Sequence, residues 1–422
     1  MALVVGGLVL GKRQSTAGGN RASATLEALE TKLLLIERRV EDIRALDFTR
    51  RPLPVLVSGA DVERQGLREL DELVSPAEQN GDDELLKLLK LIPAGSDLRT
   101  IQAAVFQDQV AGFYDPTTKR LALVKDAGAQ DESIGEITLA HELTHALDDQ
   151  NYGIRDVPPG TNDRAAAYTA LVEGDATSVM TRYATRYMTG SNLLGALFAT
   201  PTAGTPRFPP YIQASLEFPY LEGQRFIDTL FQRAHGWKVV NAAFKFRPPI
   251  STQQIIHPLD YLRNVKPLPV SLQVRPLLGR TWHRAIGSSL GEFDTRELLE
   301  MGIGADRAAD VAASWKGGVY ELWQKGRLPD DSCTSPCRSR DALVLAWRTA
   351  PGRDASTFTA GMGAYVVRGL GGRARERNVW TLPGGGAVAL DSVNGTTVLA
   401  MAPSEVMATT LADHSTIAPL GR

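Results

Sequence analysis

The stretch His141-Glu142-Leu143-Thr144-His145 limits what this chain can fold into more than any other part of it. Two imidazoles at i and i+4 project from one face of a helix, where both reach one metal ion and the glutamate beside the first faces a water on that ion. A helix is therefore predicted beneath the motif. Ser133-Ile134-Gly135-Glu136 has the capping-box pattern that opens one, Leu139, Leu143 and Leu147 supply an apolar stripe, and Asn151-Tyr152-Gly153 supplies a stop. Asp148 and Asp149 follow His145 by three and four residues; Asp149 is a candidate to orient an imidazole, whereas Asp148 reads as surface charge.

Two imidazoles and a water leave one protein ligand to be found. A second amphipathic helix is predicted from about residue 163 to 188, and within it stands Leu171-Val172-Glu173-Gly174-Asp175-Ala176. A carboxylate in an apolar run is costly unless something pairs with it, and a metal ion is such a partner. A buried salt bridge or a solvated edge is the other reading of Glu173. Gly174 weakens a helix, a cost that makes sense where two helix backbones must approach closely. Glu173 follows His145 by 28 residues, enough for the chain to turn back on itself.

Upstream, residues 12–23 are rich in Gly, Ser and Thr and read as a linker, and residues 24–46 carry apolar positions at helical spacing, read as a helix packed on its own domain. Val55-Leu56-Val57 is strand-like, and polar helical patterns follow between Asp61 and Leu91. Residues 110–124 read as strand, turn, strand, with Asp115-Pro116 in the favoured turn positions. This is either an ordinary hairpin or one whose edge strand pairs with an extended peptide.

Downstream, residues 190–212 read as a mobile loop, and a helical pattern runs from Phe218 to Ala234, closed by His235-Gly236-Trp237. Ser251-Thr252-Gln253-Gln254 is a second capping box, and beyond about residue 266 Gly-rich turns and short strands prevail. Strands are predicted at 342–347 and in a hairpin over 379–399, with helices over 353–368 and 404–411.

The 422 residues are 43% hydrophobic and 22% charged, with a formal net charge of −2 and no basic run with interleaved aromatics, so nucleic-acid binding is set aside. Cys333 and Cys337 cannot complete a four-thiolate zinc site; a local disulfide and a pair of free thiols both fit. The apolar Met1–Gly11 run, followed by Lys12 and Arg13, is too short to span a bilayer. It reads as the tail of a membrane segment or as a floppy terminus.

His141, His145 and Glu173 thus form a His2Glu zinc set, with Glu142 as general acid/base. A further donor is needed to steady the oxyanion, and the candidates are His257, Tyr220 and Tyr261. His235, His283 and His414 read as structural or exposed.

The motif from His141 to Leu147, followed by Glu173 on a later helix, resembles the gluzincin group of zinc metallopeptidases, the thermolysin-like clan. Residues 110–119 (VAGFYDPTTK), 172–177 (VEGDAT) and 251–261 (STQQIIHPLDY) resemble a largely uncharacterised family of bacterial zincin-like proteins, often envelope-associated. The resemblance covers roughly residues 100–265 and continues faintly through Ala312–Gly318 and the Arg340 region. It implies one zinc per chain, a peptide or protein substrate and an edge strand beside it. The thermolysin-type Asn-Glu-x-x-Ser-Asp motif is incomplete around Glu173, which leaves Asp149 or Asp175 to support the histidines.

The expectation is an α+β chain: an apolar N-terminus and linker (1–23), a helical N-terminal region (24–100), a zincin-like catalytic domain (101–265) and a small α+β C-terminal domain (266–422). The expected activity is zinc-dependent peptide hydrolysis, outside the cytoplasm or at a membrane through the N-terminus, with a cytoplasmic location as the alternative. The rival is an inactive zincin-fold binding protein of the envelope; an intact Glu142 argues against it.

Overall fold

The computed structural model describes residues 22–52, 54–108, 112–124, 132–154, 162–188, 208–326 and 333–415. The Met1–Gly11 run, most of the linker and nearly all of the 190–212 loop lie outside them. The chain is α+β, with a helical N-terminal region and a C-terminal antiparallel sheet.

Helix α1 (Ala22–Arg44) leads to strand β1 (Pro54–Val57) and helices α2 (Gly59–Leu73), α3 (Pro76–Leu88) and α4 (Leu98–Asp108). The hairpin β2 (Gly112–Asp115) and β3 (Arg120–Val124) precedes the long helices α5 (Glu132–Tyr152), α6 (Asn162–Tyr187) and α7 (Pro210–Ala234). Short helices α8 (Lys238–Lys245), α9 (Thr252–Ile256), α10 (Pro258–Leu262) and α11 (Arg275–Leu278) follow. The remainder is β4 (Trp282–Ser289), α12 (Glu292–Ile303), α13 (Ala305–Ala312), β5 (Trp315–Lys325), β6 (Asp341–Thr349), α14 (Arg353–Ala364), a π-helical turn (Tyr365–Gly369), β7 (Arg373–Glu376), β8 (Val379–Thr381), β9 (Ala387–Val393), β10 (Thr396–Ala402) and α15 (Glu405–His414).

The first sheet has the order β1-β3-β2, with β1 parallel and β2 antiparallel to β3, which leaves β2 at an edge. Its turn is set by Asp115, whose Oδ1 accepts the N–H groups of Thr117 and Thr118 at 2.9 and 3.1 Å. The second sheet has the order β4-β5-β6-β10-β9-β8-β7. The apolar run of β6 is buried on both faces: Leu343, Leu345 and Trp347 join the main core, while Ala342, Val344 and Ala346 join a second core with Ala408 and Leu411 of α15. Small residues on the second face let a helix lie close to the sheet.

Several expectations are corrected. Helix α5 runs from Glu132, one residue before Ser133, and Glu136 bonds Arg39 and Tyr183. Helix α7 begins at Pro210 and passes through Pro219, because its packing against α6 sustains it where local propensity would stop it. Strand β5 is not among the predicted strands, and Gly317-Gly318 within it weaken any strand pattern. Both glycines lie inside the strand because backbone crosses there: a Cβ on Gly317 would strike the Leu268 carbonyl, and one on Gly318 the Leu290 carbonyl. Helix 353–368 is α only to Ala364 and ends in the π-turn. Cys333 and Cys337 are joined in a disulfide.

Candidate metal centre

Helix α5 is buried on all sides from Ile137 to Asp149, so it crosses the core rather than lying on it. That burial needs polar partners for every charged group it carries. His141 Nε2 and His145 Nε2 stand 3.0 Å apart. Glu173 Oε2, from α6, lies 3.2 Å from the first and 3.4 Å from the second. All three side chains are at most 3% exposed. These three residues form a group able to hold a metal ion.

The ligand atoms fit such an ion. In a tetrahedral zinc site with bonds of about 2.0–2.2 Å, neighbouring ligand atoms stand roughly 3.3–3.6 Å apart. The observed separations fall within a few tenths of an ångström of that range. Burial pushes the His141 pKa down and so favours the neutral imidazole that a metal requires. Burial alone would raise the Glu173 pKa, but the neighbouring imidazoles of His145 and His141 hold it well below the carboxylate range.

Gly174 brings α6 against α7. A Cβ on Gly174 would fall on the backbone of Gly223, and one on Gly223 on the Ala170 carbonyl. Close approach is the reason for glycine at both positions, and it seats the residue after Glu173 directly on α7. Tyr220, one turn before Gly223, places its ring 6.0 Å from that of His141.

Glu142 is fully buried, and its Oε2 accepts the N–H of Tyr114 at 2.8 Å, while Oε1 has no hydrogen-bond partner. Burial, and then the Glu173 charge, push its pKa well above the ordinary carboxylate value. Tyr114 also donates its hydroxyl to Asp149 Oδ2 at 2.8 Å. Glu142 and Asp149 are seven residues apart, on one face of α5 two turns apart. A single residue thus lashes the edge strand β2 along the helix that carries both histidines. The Tyr114 N–H points away from β3, so by the alternation of an antiparallel ladder Gly112, itself buried, also turns its N–H and C=O away from β3.

The expected supports for the histidines are elsewhere engaged. Asp149 accepts from Tyr114, from Lys119 Nζ at 2.7 Å and from the Ile154 N–H at 3.0 Å. Asp175 accepts from Arg44 Nε at 2.6 Å. Neither imidazole Nδ1 has a hydrogen-bond partner among the described residues. Asp148 is no surface charge: it is fully buried, 3.4 Å from Arg44. Tyr261 spends its hydroxyl on the Arg247 carbonyl at 2.8 Å. That bond commits it to the chain path around α10 and away from an oxyanion.

His257 bonds Glu292 of α12 at 2.8 Å. The hydrogen bond to Glu292 raises the His257 pKa above its usual 6.5. Burial also raises Glu292, so desolvation opposes the ion pair from the acid side. With its folded-state pKa raised, the stabilisation from His257 is full below about pH 6.5 and is lost as pH climbs through the raised value. An NMR titration is expected to place His257 above the unperturbed value, and Glu292→Gln to bring it down; no response to that substitution contradicts the pairing.

Sequence reasoning missed Tyr114 and Arg44. Tyr114 stands in the quoted stretch 110–119 without a role, and Arg44 ends an amphipathic helix, where an exposed cation is the default reading.

The class of site this geometry defines is a buried His2Glu group, able to hold a metal ion, against an edge strand. Residues 280–412 match a family described as a domain of unknown function, DUF8575, and that span lies C-terminal to all three candidate ligands. No curated protein matches the chain. A crystal structure from Chloroflexus aurantiacus, provisionally described as a hydrolase with a novel fold, is similar at 16% identity and a TM-score of 0.40, over 59% of this chain and 92% of its own.

Proposed function

We propose that this chain is a zinc-dependent peptidase of gluzincin type. The observation that carries the reading is the bond from the Tyr114 N–H to Glu142, which brings a candidate general base and the outer strand of the first sheet to one place. His141, His145 and Glu173 would hold the ion, and imidazole with one carboxylate suits zinc among the common divalent metals. When bound, zinc supplies Lewis acidity, acidifying water and polarising a carbonyl.

The chain's own residues supply the rest. Gly112 pairs with the backbone of an extended substrate on the side of β2 that faces away from β3. Glu142, anchored through Oε2, uses its unpartnered Oε1 to take the proton of the attacking water and deliver it to the leaving amine. Tyr220, placed beside His141, is assigned the oxyanion, ahead of His257 and Tyr261.

We place the protein outside the cytoplasm or at a membrane surface, supported by the Cys333–Cys337 disulfide. No helix among the described residues is long and apolar enough to cross a membrane.

The near-complete burial of all four motif side chains favours a second reading, an inactive binding protein that keeps the metal. The purified protein is expected to carry one zinc per chain, to cleave members of a broad peptide library, and to lose cleavage on chelation and regain it with zinc. Zinc at unit stoichiometry without cleavage of any peptide would transfer the conclusion to the binding protein. Absence of bound zinc would remove both.

A further inference from the structure

Arg44, the last residue of α1, is fully buried, an expensive place for a guanidinium. Its Nε donates to Asp175 Oδ2 at 2.6 Å, its Nη1 to Asn241 Oδ1 at 2.6 Å, and its Nη2 lies 3.4 Å from Asp148 Oδ1. The Trp237 ring lies 4.5 Å from its central carbon, and the Trp237 indole N–H donates to the Ile43 carbonyl at 2.7 Å. Both carboxylates are themselves fully buried.

The placement of those carboxylates is what gives the cluster meaning. Asp148 follows His145 by three residues on α5, and Asp175 follows Glu173 by two on α6. One planar, rigid fork therefore joins the two helices within a turn of the ligands that each contributes. Glu173 Oε2 on α6 sits 3.2 and 3.4 Å from the His141 and His145 imidazoles of α5, a spacing that a slip of one helix past the other by an ångström would destroy. Among the described residues no carboxylate reaches the Nδ1 atoms of the two imidazoles.

We propose that Arg44 is a positioning residue for the metal centre: it sets the register of α5 against α6, so that the N-terminal helix is a working part of the site rather than a neighbour of it. This rests on the metal-site reading above. Without Arg44 the two aspartates are left buried with no cation between them, and the helices are free to separate or shift.

The test uses the full chain, with zinc affinity measured by chelator competition and the absorption spectrum of the cobalt-substituted protein as a report on ligand geometry. Arg44→Met is expected to weaken zinc binding about 10- to 100-fold and to alter the cobalt bands. The triple variant R44M/D148N/D175N removes the buried charge altogether and is expected to regain thermal stability while zinc binding stays weak, because register is not restored. A triple variant that regains stability and zinc affinity together, or an R44M protein that binds zinc as wild type does, overturns the proposal and leaves the metal site intact. Wild-type protein that binds neither zinc nor cobalt overturns the metal reading itself, and the proposal with it.

Discussion

Glu142→Gln is expected to lower peptide hydrolysis about 10²- to 10⁴-fold, the usual contribution of a positioned general acid/base, with zinc still bound at wild-type stoichiometry. The amide is close in shape to the carboxylate, and its oxygen still accepts the Tyr114 N–H, so the edge strand stays in place. What it loses is the capacity to take a proton. The three candidate ligands are untouched, since Glu142 is not among them. Measured side by side, cleavage rate and metal content separate chemistry from binding. Activity within tenfold of wild type would remove Glu142 from the mechanism.

Gly174→Ala is expected to be among the most damaging single-methyl additions in the protein. The new Cβ meets backbone atoms of Gly223 rather than a side chain, so no rotamer change relieves it, and α6 and α7 must part. The cost is expected to reach or exceed the top of the usual range of about 1–3 kcal/mol for overpacking. Zinc affinity should fall with it, because Glu173 is the adjacent residue. Gly135→Ala in α5 is the control: nothing lies within 4 Å of its added Cβ, and helix propensity favours alanine by up to about 1 kcal/mol. Denaturant midpoints moving in opposite directions for the two variants is the expected result. A Gly174→Ala protein as stable as wild type would mean that the helices are not packed this closely.

Much of the site's layout was legible because its signals are local. The i, i+4 spacing of His141 and His145 requires a helix, Asp115-Pro116 announces a turn, and Glu173-Gly174 in an apolar run advertises both a buried charge and a close contact. The alternating burial of β6 follows from strand geometry in the same way. Illegible features share a different origin. Whether Asp148 is solvated or buried depends on Arg44, 104 residues earlier in the chain, and on helices whose mutual packing no short window records. Strand β5 was hidden because Gly317 and Gly318 answer to crossing backbone, not to their own neighbours in sequence. Helical spacing and the family resemblance both point Asp149 at a histidine, whereas the hydroxyl it accepts comes from a strand.

By itself the sequence determined which side chains share a helix face, where turns fall and which carboxylate needs a partner, because each of these follows from backbone periodicity over a few residues. Only the tertiary structure decided who the partners are. It brought Glu173 to within 3.4 Å of both imidazoles, gave Asp148 and Asp175 to Arg44, and laid Tyr114 along the motif helix. Those outcomes depend on desolvation: once the helices exclude water, every buried charge must find its complement among whatever the fold has carried there.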